Sequence, residues 1–244
     1  MNLVKKQCLR YLLGIFCMAA ISLSGADCLL VESSKLSTIN EHLTENVLIV
    51  LDIDNTLVES VEELGSDQWT WERIKQLKSL GASGDEALEQ TMREWREIHL
   101  TIPVKTPEDN AAALIRELQE KGYPIIALTT RGPEDATVTL RELRIVGIDL
   151  NHTSIAKHDL EIELKKPALY KNGILFISLF NKKGVALKTF LQKLNYQPQK
   201  IIFVDDKLSH IQDVAEACTV LDINYIGIRY GACDQRVKSF KLTN

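Results

Sequence analysis

Val47-Leu48-Ile49-Val50-Leu51-Asp52-Ile53-Asp54-Asn55-Thr56-Leu57 is the stretch whose reading sets the fold. Five uninterrupted aliphatic residues have the length of a strand covered on both faces, the pattern of a parallel sheet between helical layers. Alternate residues of an extended chain point the same way, so Asp52 and Asp54 share one face where the strand ends. Open α/β sheets bind ligands at the carboxyl ends of their strands. Two ionised acids held this close repel unless a cation lies between them, and hard oxygen donors suit magnesium. The plainer reading is a strand running into an Asp-rich turn, with Asp54 or Asn55 bonding its own backbone.

Three later stretches repeat the arrangement. Pro124-Ile125-Ile126-Ala127-Leu128-Thr129-Thr130-Arg131 is a second buried strand, ending in hydroxyls and a cation. Gly132-Pro133-Glu134-Asp135 then opens a helix, with Pro133 in the first-turn position that tolerates it. A hydroxyl beside the first amides of a helix forms a seat for an anion. Asn181-Lys182-Lys183-Gly184-Val185 follows the apolar strand at 174–178 and starts another helix. A lysine there opposes the helix dipole unless something anionic faces it. Lys200-Ile201-Ile202-Phe203-Val204-Asp205-Asp206-Lys207 is a third buried strand, ending in adjacent acids. Capping alone accounts for each stretch singly, but not for acids, hydroxyls and a lysine gathered at the same end of several strands.

The order D-x-D-x-T, strand-Thr, Lys, strand-Asp-Asp resembles the four motifs of the haloacid dehalogenase superfamily, over about residues 47–230. The resemblance implies that Asp52 is a nucleophile and Asp54 a general acid/base. Thr129 would bind the phosphoryl group, since Thr129-Thr130-Arg131 is similar to the family's T-x-R ending. Lys183, next to Gly184, would be the motif lysine in preference to Lys182. Asp205, with Asp206 behind it, would bind metal together with Asp52 and Asp54. The implied cofactor is Mg2+ and the implied reaction is hydrolysis of a small phosphorylated substrate through an aspartyl-phosphate. An Asp at the position of Asp54 favours phosphatases or phosphomutases over dehalogenases. A receiver domain carries similar residue types in a different order. A catalytically silent binding or surface protein of the same fold is the alternative.

The alternation of strands and helices gives an α/β fold, a doubly wound parallel sheet with a small helical cap inserted after the first strand. The core would comprise 27–57 and 107–244. Lys171-Asn172-Gly173-Ile174 carries a hairpin signal near its far edge. Residues 58–106 exceed what a strand-to-helix connection needs. They hold helical patterns at Trp69 to Leu80 and Asp85 to His99, the second opened by Ser83 and Glu86 in capping-box register. Leu88, Met92, Trp95 and His99 fall on one face of it. Trp69, Trp71 and Trp95 all lie in this insertion, and its Glu59, Glu62 and Glu63 weigh against a strongly anionic leaving group.

Lys5, Lys6 and Arg10, an apolar run from Tyr11 to Leu23 and the small residues Ser24-Gly25-Ala26 read as a signal peptide over 1–26. The apolar run is short for a membrane span, so the expectation is an exported, periplasmic or secreted protein with no stable membrane insertion after cleavage. A formal charge of −4 and a pI near 5.8 argue against nucleic-acid partners. Cys28, Cys218 and Cys233 lie outside the signal, so at least one thiol stays unpaired within the chain. A bridge between Cys218 and Cys233 is compatible with their positions. His210, five residues after Asp205, is placed to support the acids. His42, His99, His152 and His158 have no paired spacing and read as surface or structural.

Overall fold

An all-aliphatic strand offers water no polar face, so it has to lie inside a sheet covered on both sides. The computed structural model, which describes residues 25–242, shows this. Its strands are β1 (Cys28–Ser33), β2 (Val47–Leu51), β3 (Glu59–Ser60), β4 (Val104–Lys105), β5 (Ile125–Thr129), β6 (Leu160–Ile162), β7 (Ala168–Lys171), β8 (Ile174–Phe176), β9 (Lys200–Asp205) and β10 (Asn224–Tyr230). Its α-helices are α1 (Asp67–Ser79), α2 (Gly84–His99), α3 (Ala111–Glu120), α4 (Ala136–Ile145), α5 (Lys183–Leu194), α6 (Leu208–Leu221) and α7 (Asp234–Ser239).

Eight strands form one sheet in the order β1-β10-β9-β2-β5-β8-β7-β6. The first six run parallel, and β7 and β6 continue the edge antiparallel to their neighbours. The chain winds from β2 one way to β5 and the other way to β9, so a crevice opens at the carboxyl end of β2. Side-chain alternation splits the apolar run between two cores. Ile49 and Leu51 pack with Ile115 and Leu118 of α3, whereas Leu48 and Val50 pack with Phe190 of α5 and Val214 of α6. The two helices on that second face lie close because Gly184 has no side chain; a Cβ there would run into the Asp213 carbonyl.

The hairpin forms at the expected turn. Asn172 and Gly173, at φ 49° and 81°, make the two-residue connection between β7 and β8. The strand expected over 174–178 ends at Phe176, and Ser178 takes φ 62°. The helix expected from 107 begins at Ala111, because Glu108 is drawn aside to accept from the Leu36 amide at 2.6 Å and the Tyr230 hydroxyl at 2.8 Å. β1 lies outside the expected strands. It is an edge strand with both faces partly in water, and its short apolar run, Cys28-Leu29-Leu30-Val31, directly follows the stretch that reads as a signal peptide.

The segment between β2 and α3 starts and ends in a two-stranded antiparallel ribbon, β3 with β4. Between them α1 and α2 pack as a helical pair. Ser66 caps α1 by accepting from the Trp69 amide, and Ser83 with Glu86 forms the expected capping box of α2. The buried face of α2 carries Ala87, Thr91, Trp95 and His99. Leu88 and Met92, expected on the same face, are only half-buried and border a cavity. The bridge between Cys218 and Cys233 does not form: Cys218 packs in the α5–α6 face of the core, while Cys233 donates to Glu59, and both are free thiols.

Candidate active site

The crevice gathers the ends of three strands and one helix start. Asp52 follows β2, Thr129 ends β5, Asp205 ends β9 and Lys183 begins α5. Lys183 is buried, and its Nζ donates to Asp52 Oδ1 at 2.5 Å and to Asp205 Oδ2 at 2.7 Å. The two carboxylates account for a lysine at a helix start, since the dipole alone would repel it. Burial pushes Asp52 well above the usual carboxylate range, and the Asp205 charge adds to it against Lys183. Burial also pushes Asp205 up, but Lys183 and His210 outweigh it and hold that carboxyl low. His210 Nδ1 faces both Asp205 oxygens, at 3.1 and 3.0 Å, as its spacing suggested.

Asp206 completes an acidic cluster. One oxygen from each of Asp52, Asp205 and Asp206 lies within 4.8 Å of the others. Asp206 Oδ2 accepts from Asn55 Nδ2 at 3.2 Å, whereas its Oδ1 is buried with no partner among the described residues. Burial raises the Asp206 carboxyl well above its ordinary value; Lys207 offsets only part of what burial and the neighbouring acids add. Three inward carboxylates, one of them with an orphaned oxygen, make the donor set of a hard divalent cation. Magnesium fits these residues.

Asp54 lies outside that cluster, although the motif resemblance counted it among the metal ligands. Its carboxylate is held by Arg131 in a two-pronged pair, Nε to Oδ2 at 3.1 Å and Nη2 to Oδ1 at 2.8 Å. Arg131 is buried and reaches further, donating from Nη1 to Glu142 Oε2 at 2.6 Å and to Thr139 Oγ1 at 2.9 Å. Its guanidinium also stacks over Trp95 of α2, 4.7 Å from the ring centre. Glu142 touches His99 Nδ1, and His99 Nε2 donates to the Gly65 carbonyl at 2.7 Å. Thr129 is fully buried, with its hydroxyl accepting from the Arg131 amide at 3.2 Å. A second tie joins core to insertion on the other side. Lys207 pairs with Asp67 at 2.9 Å and lies over the Trp71 ring.

Arg131, Glu142 and His99 are the site residues that motif reasoning left out. Only the T-x-R ending pointed at Arg131; Glu142 and His99 come from separate helices and share no spacing. Two of the acids expected to face the leaving group are paired by cations. Glu59 is paired by Lys105 and Arg236, and Glu63 by Arg236, so the charge at these two positions is already balanced within the protein.

The Arg131 cluster sets a pH dependence of stability. Burial pushes Asp54 and Glu142 up, yet Arg131 outweighs it and holds both carboxyls below their ordinary values. Groups depressed in the folded state stabilise above their unfolded pKa, about 4, and lose that contribution as pH falls through the folded values. The contribution of this cluster to the urea midpoint should therefore hold from pH 7 to about pH 5 and be lost below about pH 4, read as the difference between the parent and Glu142→Gln at each pH. Glu142→Gln should lower the midpoint at pH 7 and flatten the acid limb. An acid limb unchanged by Glu142→Gln would place the titrating groups elsewhere.

Residues 32–243 match a family described as a protein of unknown function, DUF2608, and the chain belongs to that family. A Chlamydia pneumoniae protein provisionally named an outer membrane protein is 30% identical over 188 residues, covering 77% of this chain and 70% of that protein. A protein of the same provisional name from Chlamydia muridarum is 29% identical, with the same coverage. Among solved structures, a haloacid dehalogenase-like family hydrolase from Streptococcus pneumoniae superposes with a TM-score of 0.46 at 16% identity, over 75% of this chain and 95% of that one. The core is a doubly wound α/β sheet with the motif residues at the ends of β2, β5 and β9 and the start of α5, the placement that the motif resemblance implies. Among the described residues, no helix is long and apolar enough to cross a membrane.

Proposed function

We propose that this DUF2608 member is an exported, magnesium-dependent phosphatase that hydrolyses small phosphomonoesters through an aspartyl-phosphate on Asp52. The observation that carries the reading is the cluster of Asp52, Asp205 and Asp206 around the buried Lys183 at the carboxyl end of the sheet. Magnesium, held by those three acids, would neutralise charge on the phosphoryl group. Lys183 positions Asp52 and keeps a positive charge beside it. An Asp52 oxygen forms the new bond to phosphorus as the ester P–O bond breaks, and the leaving alkoxide takes a proton from Asp54. Asp54 then removes a proton from water, which attacks phosphorus and releases phosphate and free Asp52.

Asp54 needs a proton for the first half of that cycle, and Arg131 holds it ionised. The pair with Arg131 therefore has to open before the leaving group is protonated. That pair is also the observation favouring a silent binding protein of the same fold. Export is supported by the relatives' names and by the signal pattern, most of which lies in residues 1–24, outside the described residues. The helical insertion is proposed as the cap that selects the substrate, because the core residues address only the transferring group. A panel of phosphomonoesters assayed with magnesium and with a chelator tests the reading. Phosphate release that the chelator abolishes is expected. An absence of metal-dependent turnover on every ester would favour the binding protein.

A further inference from the structure

We infer that the alcohol part of the substrate is apolar and about the size of one aromatic ring, and that it is seated on Leu88, Met92, Leu179 and Phe180 beside Asp54. The inference rests on the phosphatase reading for the reaction and on the shape of the crevice for the ligand. A cavity of about 200 Å³ opens between α2, the turn at 130–135 and the loop at 178–180. Met92, Thr130 and Leu179 line it, and the same three residues line a small cleft of about 30 Å³ over Asp54 and Arg131. The larger space is therefore next to the group that would protonate the leaving alcohol.

Its chemistry is that of an apolar seat. Leu88 and Met92 stand one turn apart on α2, half-exposed, facing the half-exposed Leu179 and Phe180 of the core. Arg96, among the charged groups of the wall, is already paired, with Asp135 at 2.7 Å and with Glu134 at 3.6 Å. Glu89 and Arg93 of α2 also line the cavity, exposed to solvent at its rim, and the larger part of the surface left to meet a ligand is apolar, the usual lining of a small-molecule site. The volume is enough for a single substituted ring, since an apolar cavity of about 150 Å³ accepts benzene. The core wall is held in place at some strain. Ser178 keeps φ 62°, and its amide donates to the Arg131 carbonyl at 3.1 Å. Asn181 Nδ2 donates to the Ile177 carbonyl at 2.6 Å. A strained non-glycine residue, fixed by bonds to the motif-bearing loop, is typical of a wall shaped for a ligand.

The test compares 2-phenylethyl phosphate with ethyl phosphate, whose alcohols leave about equally well and differ only in the ring. With magnesium, kcat/KM for the phenylethyl ester should exceed that for the ethyl ester by about ten- to a hundred-fold. Leu88→Asn and Phe180→Ser, checked by thermal melting for retained folding, should bring the ratio to within about threefold of one. Turnover of both esters at equal kcat/KM would overturn the inference and leave the phosphatase reading standing. If neither ester is hydrolysed, calorimetric binding of 2-phenylethylphosphonate and ethylphosphonate decides. Tighter binding of the phenylethyl compound, lost in Phe180→Ser, supports the apolar seat while the phosphatase reading fails. Equal or absent binding of the two overturns the seat as well.

Discussion

On the proposed reaction, Asp52→Asn should abolish phosphoenzyme formation and lower kcat by about 10⁴-fold or more, the scale of loss when a nucleophile is removed. The amide keeps the shape of the carboxylate but has no charge with which to attack phosphorus. The same substitution should leave the fold intact. Burial and Asp205 already disfavour the charged form of Asp52, so a neutral side chain there relieves repulsion, and its amide oxygen can still accept from Lys183. Trapping with beryllium fluoride and magnesium, read alongside a melting curve, separates the two effects. An unchanged melting temperature with no trapped complex assigns the nucleophile. Trapping that survives Asp52→Asn would remove Asp52 from that role and, with it, the aspartyl-phosphate mechanism.

Lys183→Met has the largest expected effect on stability. It keeps the length of the side chain and deletes the charge shared by Asp52 and Asp205, both of them buried. Breaking a buried pair by removing one partner costs about 3–5 kcal/mol, because the other charge stays behind unpaired. For a chain of this size that corresponds to a drop in melting temperature of roughly 10 °C. Magnesium should restore part of the loss, since a ligand that binds only the folded state stabilises it by mass action. The variant's melting temperature should accordingly rise more steeply with magnesium than the unsubstituted protein's. A variant as stable as the parent, and equally indifferent to magnesium, would show that Lys183 does not balance the acids.

The ties between core and insertion bear on how the site is used. Trp95 covers Arg131 and donates from Nε1 to the Gly65 carbonyl at 3.1 Å, while Trp71 covers Lys207 and stays 40% exposed. Two of the three tryptophans thus lie against the cations that flank the crevice. The cleft between them, about 30 Å³, has room for only a few water molecules.

The parallel sheet, the succession of its motif strands along the chain, the two helices of the insertion and the capping box of the second were legible in the sequence, because each depends on neighbours in the chain. An aliphatic run such as Val47–Leu51 admits one environment, and a Ser83–Glu86 box or an Asn172-Gly173 turn acts over two to four residues. The candidates Asp52, Lys183 and Asp205 were legible for the same reason, since each sits at the end of a recognisable element. What became of Asp54 was not. Its partner Arg131 lies 77 positions away, and Arg131 is aimed by Glu142, which in turn meets His99 from the insertion, 43 positions from Glu142. No periodicity links residues on separate elements, so only packing decides that Asp54 faces a guanidinium while Asp206 joins the acids. β1 is the backbone counterpart: its apolar run, Cys28-Leu29-Leu30-Val31, is too short to mark a strand by itself, both its faces are partly in water, and pairing along the edge of β10 makes it one.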